Sequence, residues 1–336
     1  MSFKSGIAYF GVRNPEWVKL DMERIVAAGF THVLHTWSEE DSHYYADTMS
    51  EIISISHSLG LKVYVNPWGV GRVFGGEAYS ELSARDHSLA QVGSDGVPRV
   101  AACPNHPKFR EYMHKWIALV CATQVETIFW DEPHFDFTKG VDQVWNCRCA
   151  TCMDLFATRF GKAMPTQFDQ EVKIFREDSL IDFLTEMTQA VEKLGKRNSV
   201  CMLPPWFPAG LDDWDRVARI PSVHEIGSDP YWEKNTPIES VPVTYAEVSA
   251  KTFAIAKQHG KEAQMWIKNY HIVAGTENAV VEATRAAFEA GIRNIFAWSY
   301  LGSSYLSWLR SDNAPLVWKL QCEALQHCKT SHLNSL

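Results

Sequence analysis

Thr127-Ile-Phe-Trp-Asp-Glu-Pro-His-Phe135 opens as an apolar run of strand length and turns abruptly into two adjacent carboxylates, a proline, a histidine and an aromatic. Charges at the lip of a buried strand are costly. In parallel α/β chains the C-terminal strand ends are where active sites are assembled. The plainer reading is a helix start, an acid ahead of a proline. The next twenty or so residues favour a site, because they form a long loop with its own cysteine cluster, Cys147-Arg-Cys-Ala-Thr-Cys152.

On either side of this stretch one module recurs: an apolar strand, a polar loop, an amphipathic helix, a glycine, the next strand. Ile7–Phe10 reads as the first strand, and Asn14-Pro-Glu opens a helix with an N-cap and a proline in its first turn. His32–Trp37 is the second strand and Lys62–Trp68 the third. Thr127 opens the fourth, Ser199–Pro204 is the fifth and Val223–Asp229 the sixth. Ala263–Asn269 and Asn294–Trp298 are the seventh and eighth. Glycines 29, 60, 195, 260 and 291 close helices just before strands. Eight such units predict an α/β fold, one (β/α)8 TIM barrel spanning residues 1–336. A doubly wound sheet ranks second, since no early Gly-x-Gly-x-x-Gly is present.

Two loops are longer than the module needs. An insertion after the third strand, about 68–106, carries Trp68-Gly-Val-Gly-Arg-Val-Phe-Gly-Gly76. It lacks the lysine and spacing of a phosphate-binding loop, so no organic cofactor is expected and a turned loop over the barrel mouth is. The other loop, about 134–153, holds the cysteines. Cys147, Cys149 and Cys152 with Cys103 suit one tetrahedral Zn²⁺ with four sulfur ligands. Four sulfurs leave no open position, so the metal would staple loops. A disulfide pair or free buried cysteines are the alternatives. Cys121, Cys201, Cys322 and Cys328 read as core or surface residues.

The totals narrow the function. Net charge is −8 with no basic stripe, which argues against nucleic acid. No apolar run is long enough for a bilayer and no signal segment opens the chain, so no membrane partner is expected and a cytoplasmic location is. A homo-oligomer fits these totals. Thirteen tryptophans, many in loops after strands, suit stacking on sugar rings or ordinary core filling.

Cys103-Pro-Asn-His-Pro107 followed by Cys147, Cys149 and Cys152 resembles the zinc site of the family-42 β-galactosidases, (β/α)8 glycosidases of clan A. Trp130-Asp-Glu-Pro133 looks like the Asn-Glu-Pro signature of that clan, whose glutamate is the general acid/base, and Leu155–Gly161 is similar to the helix next in order. The resemblance covers roughly residues 100–161. It implies the zinc ligands and an acid/base role for Glu132. It breaks at strand seven, Gln264-Met-Trp-Ile-Lys-Asn-Tyr270, where the clan's nucleophilic glutamate is missing, and Asp131 replaces the clan's asparagine.

The second carboxylate then has to come from elsewhere. Alternation puts Val223, Glu225, Gly227 and Asp229 on one face of strand six. Asp229, at its C-terminal end, is the first choice and Glu225 the reserve; a turn cap is the plainer role for Asp229. A strand-four acid facing a strand-six acid resembles the α-galactosidase-type barrels. Adjacent Asp131 and Glu132 with Tyr231 also resemble barrels that cleave N-acetylhexosaminides with the substrate's acetamide as nucleophile. Other strand-end residues expected in a sugar pocket are His35, Trp37, Asn66, Trp68, His134, Trp206, Lys268, Asn269, Trp298 and Tyr300. The expectation is a glycoside hydrolase-like enzyme acting on a small saccharide or glycoside. The competing functions are a non-catalytic sugar-binding barrel and a metal-dependent sugar isomerase or epimerase.

Overall fold

The structure is a computed structural model and describes residues 2–137, 143–207 and 209–334. Eight parallel strands close into a barrel in chain order: β1 Lys4–Tyr9, β2 His32–Thr36, β3 Lys62–Asn66, β4 Thr127–Asp131, β5 Arg197–Met202, β6 Glu225–Ser228, β7 Glu262–Lys268 and β8 Asn294–Trp298. β8 pairs back onto β1 with Lys4 opposite Asn294 and Ile7 opposite Ala297. This is the expected (β/α)8 barrel. Strand starts and ends differ from the sequence reading by a few residues, because apolar runs continue past the last ladder hydrogen bond into the mouth.

Helices cover the outside, and their starts reflect local chemistry. Asn14 Oδ1 accepts from the backbone N–H groups of Glu16 and Trp17, with Pro15 at the first helical position. Between β2 and β3, where the pattern predicts one helix from about Ser42 to Gly60, there are two: Glu39–Tyr44 and Ala46–Ser58. Ser38 and Asp41 form a reciprocal capping box on the first.

Two apolar layers result. Val33, Val63, Ile128, Val200, Ile226 and Ile267 point outward against the helices. Ala8, Phe10, Leu34, Tyr64, Phe129, Cys201, Trp266, Phe296 and Trp298 fill the interior. Alternation decides which residue of each pair goes where, so the interior is a packed plug with its opening at the C-terminal strand ends.

The insertion after β3 is ordered. It contains a short 3₁₀ turn, Val70–Arg72, and an antiparallel hairpin of Ala90–Val92 with Pro98–Ala102, where the sequence pattern predicts only loop. Its segment Val73–Gly75 runs beside the end of β4: Gly75 N–H donates to Asp131 O at 3.0 Å and His134 N–H to Val73 O at 3.0 Å. Of the expected 134–153 loop, positions 138–142 lie outside the described residues.

Candidate active site

β4 ends in the residues that matter most. Alternation aims Phe129 and Asp131 into the barrel and Trp130 outward, where its Nε1 donates to Asn198 Oδ1 at 2.8 Å. Continued as strand, Glu132 would also point outward. Its backbone instead adopts the left-handed region, φ 43°, and both carboxylates line one cavity. A non-glycine residue held there costs about 1–3 kcal/mol. The bend is held from both sides: Glu132 N–H donates to Cys201 O on β5 at 2.9 Å, and the Val73–Gly75 segment grips Asp131 and His134. His134 Nδ1 donates to the Glu132 carbonyl at 2.5 Å.

The cavity, about 110 Å³, is lined by Glu77, Asp131, Glu132 and Asp229 and walled by Phe129, Tyr231, Trp266, Tyr270 and Trp298. Asp229 lies just past β6 and is 6% exposed. Its carboxyl group lines the same cavity as that of Glu132 and interacts with it. Two neighbouring carboxyls in a dry wall resist ionising together. Burial, then the charge of Glu132, hold Asp229 well above the usual carboxylate range. Asp131 is raised likewise, by burial, then by Glu132 and Glu77, against the pull of an Asn66 amide hydrogen bond at 3.3 Å. Burial raises Glu132 as well, while the contact with Asp229 lowers it. The group therefore retains protons into a range where free carboxyls have lost theirs.

A second cavity, about 220 Å³, adjoins the first across Gly76 and Glu132 and is lined by Arg72, Phe74, Gly75, His134, Asp136 and Phe137. Burial depresses His134 to about 4, so its imidazole is neutral. Between the cavities lies the glycine-rich turn. A Cβ on Gly75 would sit 2.9 Å from Glu132 Oε2 and 3.0 Å from Asp131 Oδ2. Only a glycine lets the backbone pass so close to the acids.

The expected pocket residues divide. Asn66, Trp68, His134, Tyr231 and Trp298 gather around the acids, Trp68 through its Nε1 hydrogen bond to Glu77 at 3.2 Å. Lys268 is buried at the edge, its Nζ donating to Trp232 O at 2.5 Å over the Tyr270 ring, and burial lowers it to about 8. Asn269 is buried with neither side-chain amide atom partnered.

Others stand elsewhere. His35 and Trp37 have outward parity: His35 Nε2 bonds Ser56 Oγ at 2.8 Å and Trp37 Nε1 donates to Ser42 Oγ at 3.1 Å, both under helices. Tyr300 donates to Asp21 at 2.9 Å, outside the barrel beside Tyr9. Trp206, 52% exposed, lines a separate cavity with Phe168, Arg176 and Asp212. Glu225 is at the opposite, N-terminal end of the barrel, bonded to Lys4 Nζ at 2.9 Å, Tyr64 Oη at 2.9 Å and Asn294 Nδ2 at 3.1 Å. Burial opposes its charge, but these partners hold its carboxyl below the usual range.

Sequence reasoning missed Glu77, Trp266 and Tyr270. Alternation along strand seven, which puts Trp266 on the face of Gln264 and Lys268, was available for the second. Nothing local marks Glu77, which reaches the site because the insertion folds back over the mouth.

Cys103, Cys147, Cys149 and Cys152 are buried, and their sulfur atoms all lie within 4.8 Å of one another. Tetrahedral Zn–S bonds place sulfurs about 3.8 Å apart, so the set fits a metal ion. Backbone N–H groups of Val92 and Cys149 point at Cys147 Sγ at 3.4 Å, and Asn105 Nδ2 at Cys152 Sγ at 3.4 Å. Such donors spread the charge of thiolate ligands. Among the described residues, this is the one group of three or more histidine, cysteine or acidic side chains with converging ligand atoms. The carboxylates at the mouth do not converge in that way.

No protein-family model matches the chain, and no curated protein matches it. Solved structures do match in fold. The endo-1,4-beta-mannanase of Rhizomucor miehei aligns with a TM-score of 0.65 at 10% identity, covering 97% of this chain and 95% of that one. The endo-1,4-beta-D-mannanase of Thermotoga petrophila aligns at 0.59 and 12%, covering 97% and 100%. The D-psicose 3-epimerase of Clostridium cellulolyticum H10 aligns at 0.51 and 13%, covering 97% and 98%. The neighbours thus include glycoside hydrolases and a sugar epimerase, and identities this low show the barrel alone.

Proposed function

We propose that this chain is a glycoside hydrolase cleaving a small saccharide or glycoside, with Glu132 as general acid/base and Asp229 as the second carboxylate. One observation carries the reading: Glu132 and Asp229, from the ends of two strands, line one cavity walled by aromatic rings. Retaining cleavage uses carboxyls ~5 Å apart and inverting cleavage ~6.5–9.5 Å. Neighbouring carboxyls that leave no room for the water an inverting enzyme places between them support retention. At rest the proton of the pair lies on Asp229; its transfer to Glu132 as the sugar enters would let Glu132 give it to the glycosidic oxygen while the Asp229 carboxylate bonds the anomeric carbon. Glu132 would then take a proton from the water that cleaves the ester. Asp131, tied to Asn66, would orient the sugar. An acid at the end of β6 also accounts for a β7 with none at its mouth end.

The epimerase reading is weaker, because the mouth carboxylates do not converge as a metal set. The four cysteines are proposed to hold one structural zinc, tying the hairpin to the first turn of helix Ala150–Phe160. One barrel is proposed as the whole functional unit, and free cysteines support a cytoplasmic location. No described helix is long and apolar enough to cross a membrane.

The test is nitrophenol release from a panel of aryl α- and β-glycosides, N-acetylhexosaminides included, by wild type, Glu132→Gln and Asp229→Asn. A general acid contributes ~10²–10⁴-fold, and both variants should fall by that order on the glycoside that is cleaved. Full activity in Glu132→Gln refutes the assignment. Activity kept in Asp229→Asn alone transfers the nucleophile to the substrate's acetamide, with Asp131 and Tyr231 beside it.

A further inference from the structure

The cavity over Glu132 has a surplus of carboxyl groups. Glu77, Asp131, Glu132 and Asp229 line it, and among the described residues no lysine or arginine does. Two-carboxylate chemistry accounts for part of this, and a cluster of acids by itself names no ligand. The unpaired atoms are more specific. Asp229, only 6% exposed, has Oδ1 without a partner. Beside Asp131 the fully buried Asn66 has Oδ1 in the same condition, its Nδ2 already directed at Asp131. Asn66 Oδ1 is an acceptor, and Asp229 Oδ1 is one once the raised acids give up a proton.

The cations nearby are engaged elsewhere. Lys268 Nζ donates to Trp232 O, and Arg72 lines the adjoining cavity with Nη1 on Gly76 O at 3.4 Å, its charge felt by Glu77 but outweighed there by burial. The walls add to the bias, since Trp266, Trp298, Tyr231, Tyr270 and Phe129 line the cavity and aromatic rings attract cations. A sugar hydroxyl brings one donor and two lone pairs, and those lone pairs would face more acceptors. An ammonium brings three donors, no acceptor and a full positive charge.

Glu77 is the residue hydrolysis does not call for. The insertion carries it to the solvent-facing rim, where its carboxylate is held by Trp68 Nε1. We propose that the site takes a sugar bearing a free, protonated amine, a hexosamine or its glycoside, with Glu77 as the carboxylate that selects it. This deepens the glycoside hydrolase reading and rests on it.

The experiment is isothermal titration calorimetry of glucosamine, galactosamine, their N-acetyl forms, glucose and galactose into wild type, Glu77→Gln and Glu77→Asp, in two buffers of different ionisation heat. Glu77 is at the rim, so the variants should fold, and thermal melts check that they do. A charge-assisted hydrogen bond corresponds to roughly 10–100-fold in affinity. An amino sugar should bind that much tighter than its neutral parent. Its binding should release protons from the raised acids, seen as buffer-dependent heat. Glu77→Gln should remove most of the preference and Glu77→Asp restore part of it. Equal affinities, preference for the N-acetyl forms, no binding of any sugar, or a preference untouched by Glu77→Gln would each overturn the proposal. Cleavage of neutral glycosides without amine preference overturns it and leaves hydrolysis standing. Amine-selective binding with no glycoside cleaved sustains the proposal and overturns hydrolysis.

Discussion

Glu225 and Asp229 lie four residues apart on one face of one strand, and replacing each with its amide should move stability in opposite directions. Glu225, fully buried, answers to Lys4, Tyr64, Asn294 and Arg197. Removing one side of a buried pair strands the other and costs about 3–5 kcal/mol. Asp229, nearly as buried, faces Glu132, Asp131, the Cys201 thiol and the rings, with no cation among them. Two carboxylates about 4 Å apart repel by about 4 kcal/mol at an effective dielectric of about 20, and a retained proton relieves most of that. In Asp229→Asn the new side-chain amide would donate to the Glu132 carboxylate, a bond to a charged group worth about 1.5–3 kcal/mol. Asp229→Asn should therefore stabilise by about 1–3 kcal/mol while abolishing turnover. For a chain of 336 residues the unfolding entropy is about 0.7 kcal/mol per degree. The melts should shift by roughly +1.5 to +4 °C for Asp229→Asn and −4 to −7 °C for Glu225→Gln.

The pH dependence comes from the direction of each shift. Asp229 is raised, so its contribution is present below the unfolded value of about 3.9 and lost as pH rises through the folded value. The gain in Asp229→Asn should be full at about pH 8 and gone near pH 4. Glu225 is lowered, so its contribution is present above about 4.3 and lost as pH falls through its folded value. The loss in Glu225→Gln should be full at about pH 7 and shrink toward about pH 3. The measurement is calorimetric or fluorescence melting of wild type and both variants from about pH 3 to 8. If Asp229→Asn melts well below wild type at the alkaline end, Asp229 makes net favourable contacts, and the picture of a costly acid kept for chemistry is wrong.

Two further outcomes are expected. Cys103→Ser should lower bound zinc from one per chain and destabilise by about 4 kcal/mol; a variant that keeps its zinc by metal analysis and its stability by melting refutes the staple. Gly75→Ala, whose new methyl would meet both Glu132 and Asp131, should lower kcat by roughly 10²-fold through displaced acids with a modest change in melting temperature; an unchanged kcat would show that the glycine turn does not set their position.

The barrel and its acids were legible in the chain alone. Strand and helix alternate eight times, five of the helices closed by a glycine, because each unit's local chemistry is self-sufficient: Asn14 caps its helix from within the segment, and alternation sorts Ile128 outward and Phe129 inward with no long-range information. Alternation likewise put Asp229 and Glu225 on one face, and the spacing of Cys147, Cys149 and Cys152 announced a cluster. Which of those residues meet depends on the closed barrel. His35 and Trp37 sit at the right height on β2 but with the wrong parity, and Glu225 is inside the barrel at the wrong end. Glu132 turns inward through a left-handed backbone that no strand pattern contains, enforced by Cys201 on one side and the insertion on the other. Glu77 arrives from an insertion far upstream of Asp131. Local propensities and periodicity act over a few residues, whereas the site is a product of barrel closure and of one loop folding back over it. The elements were therefore readable in the chain, and their convergence was not.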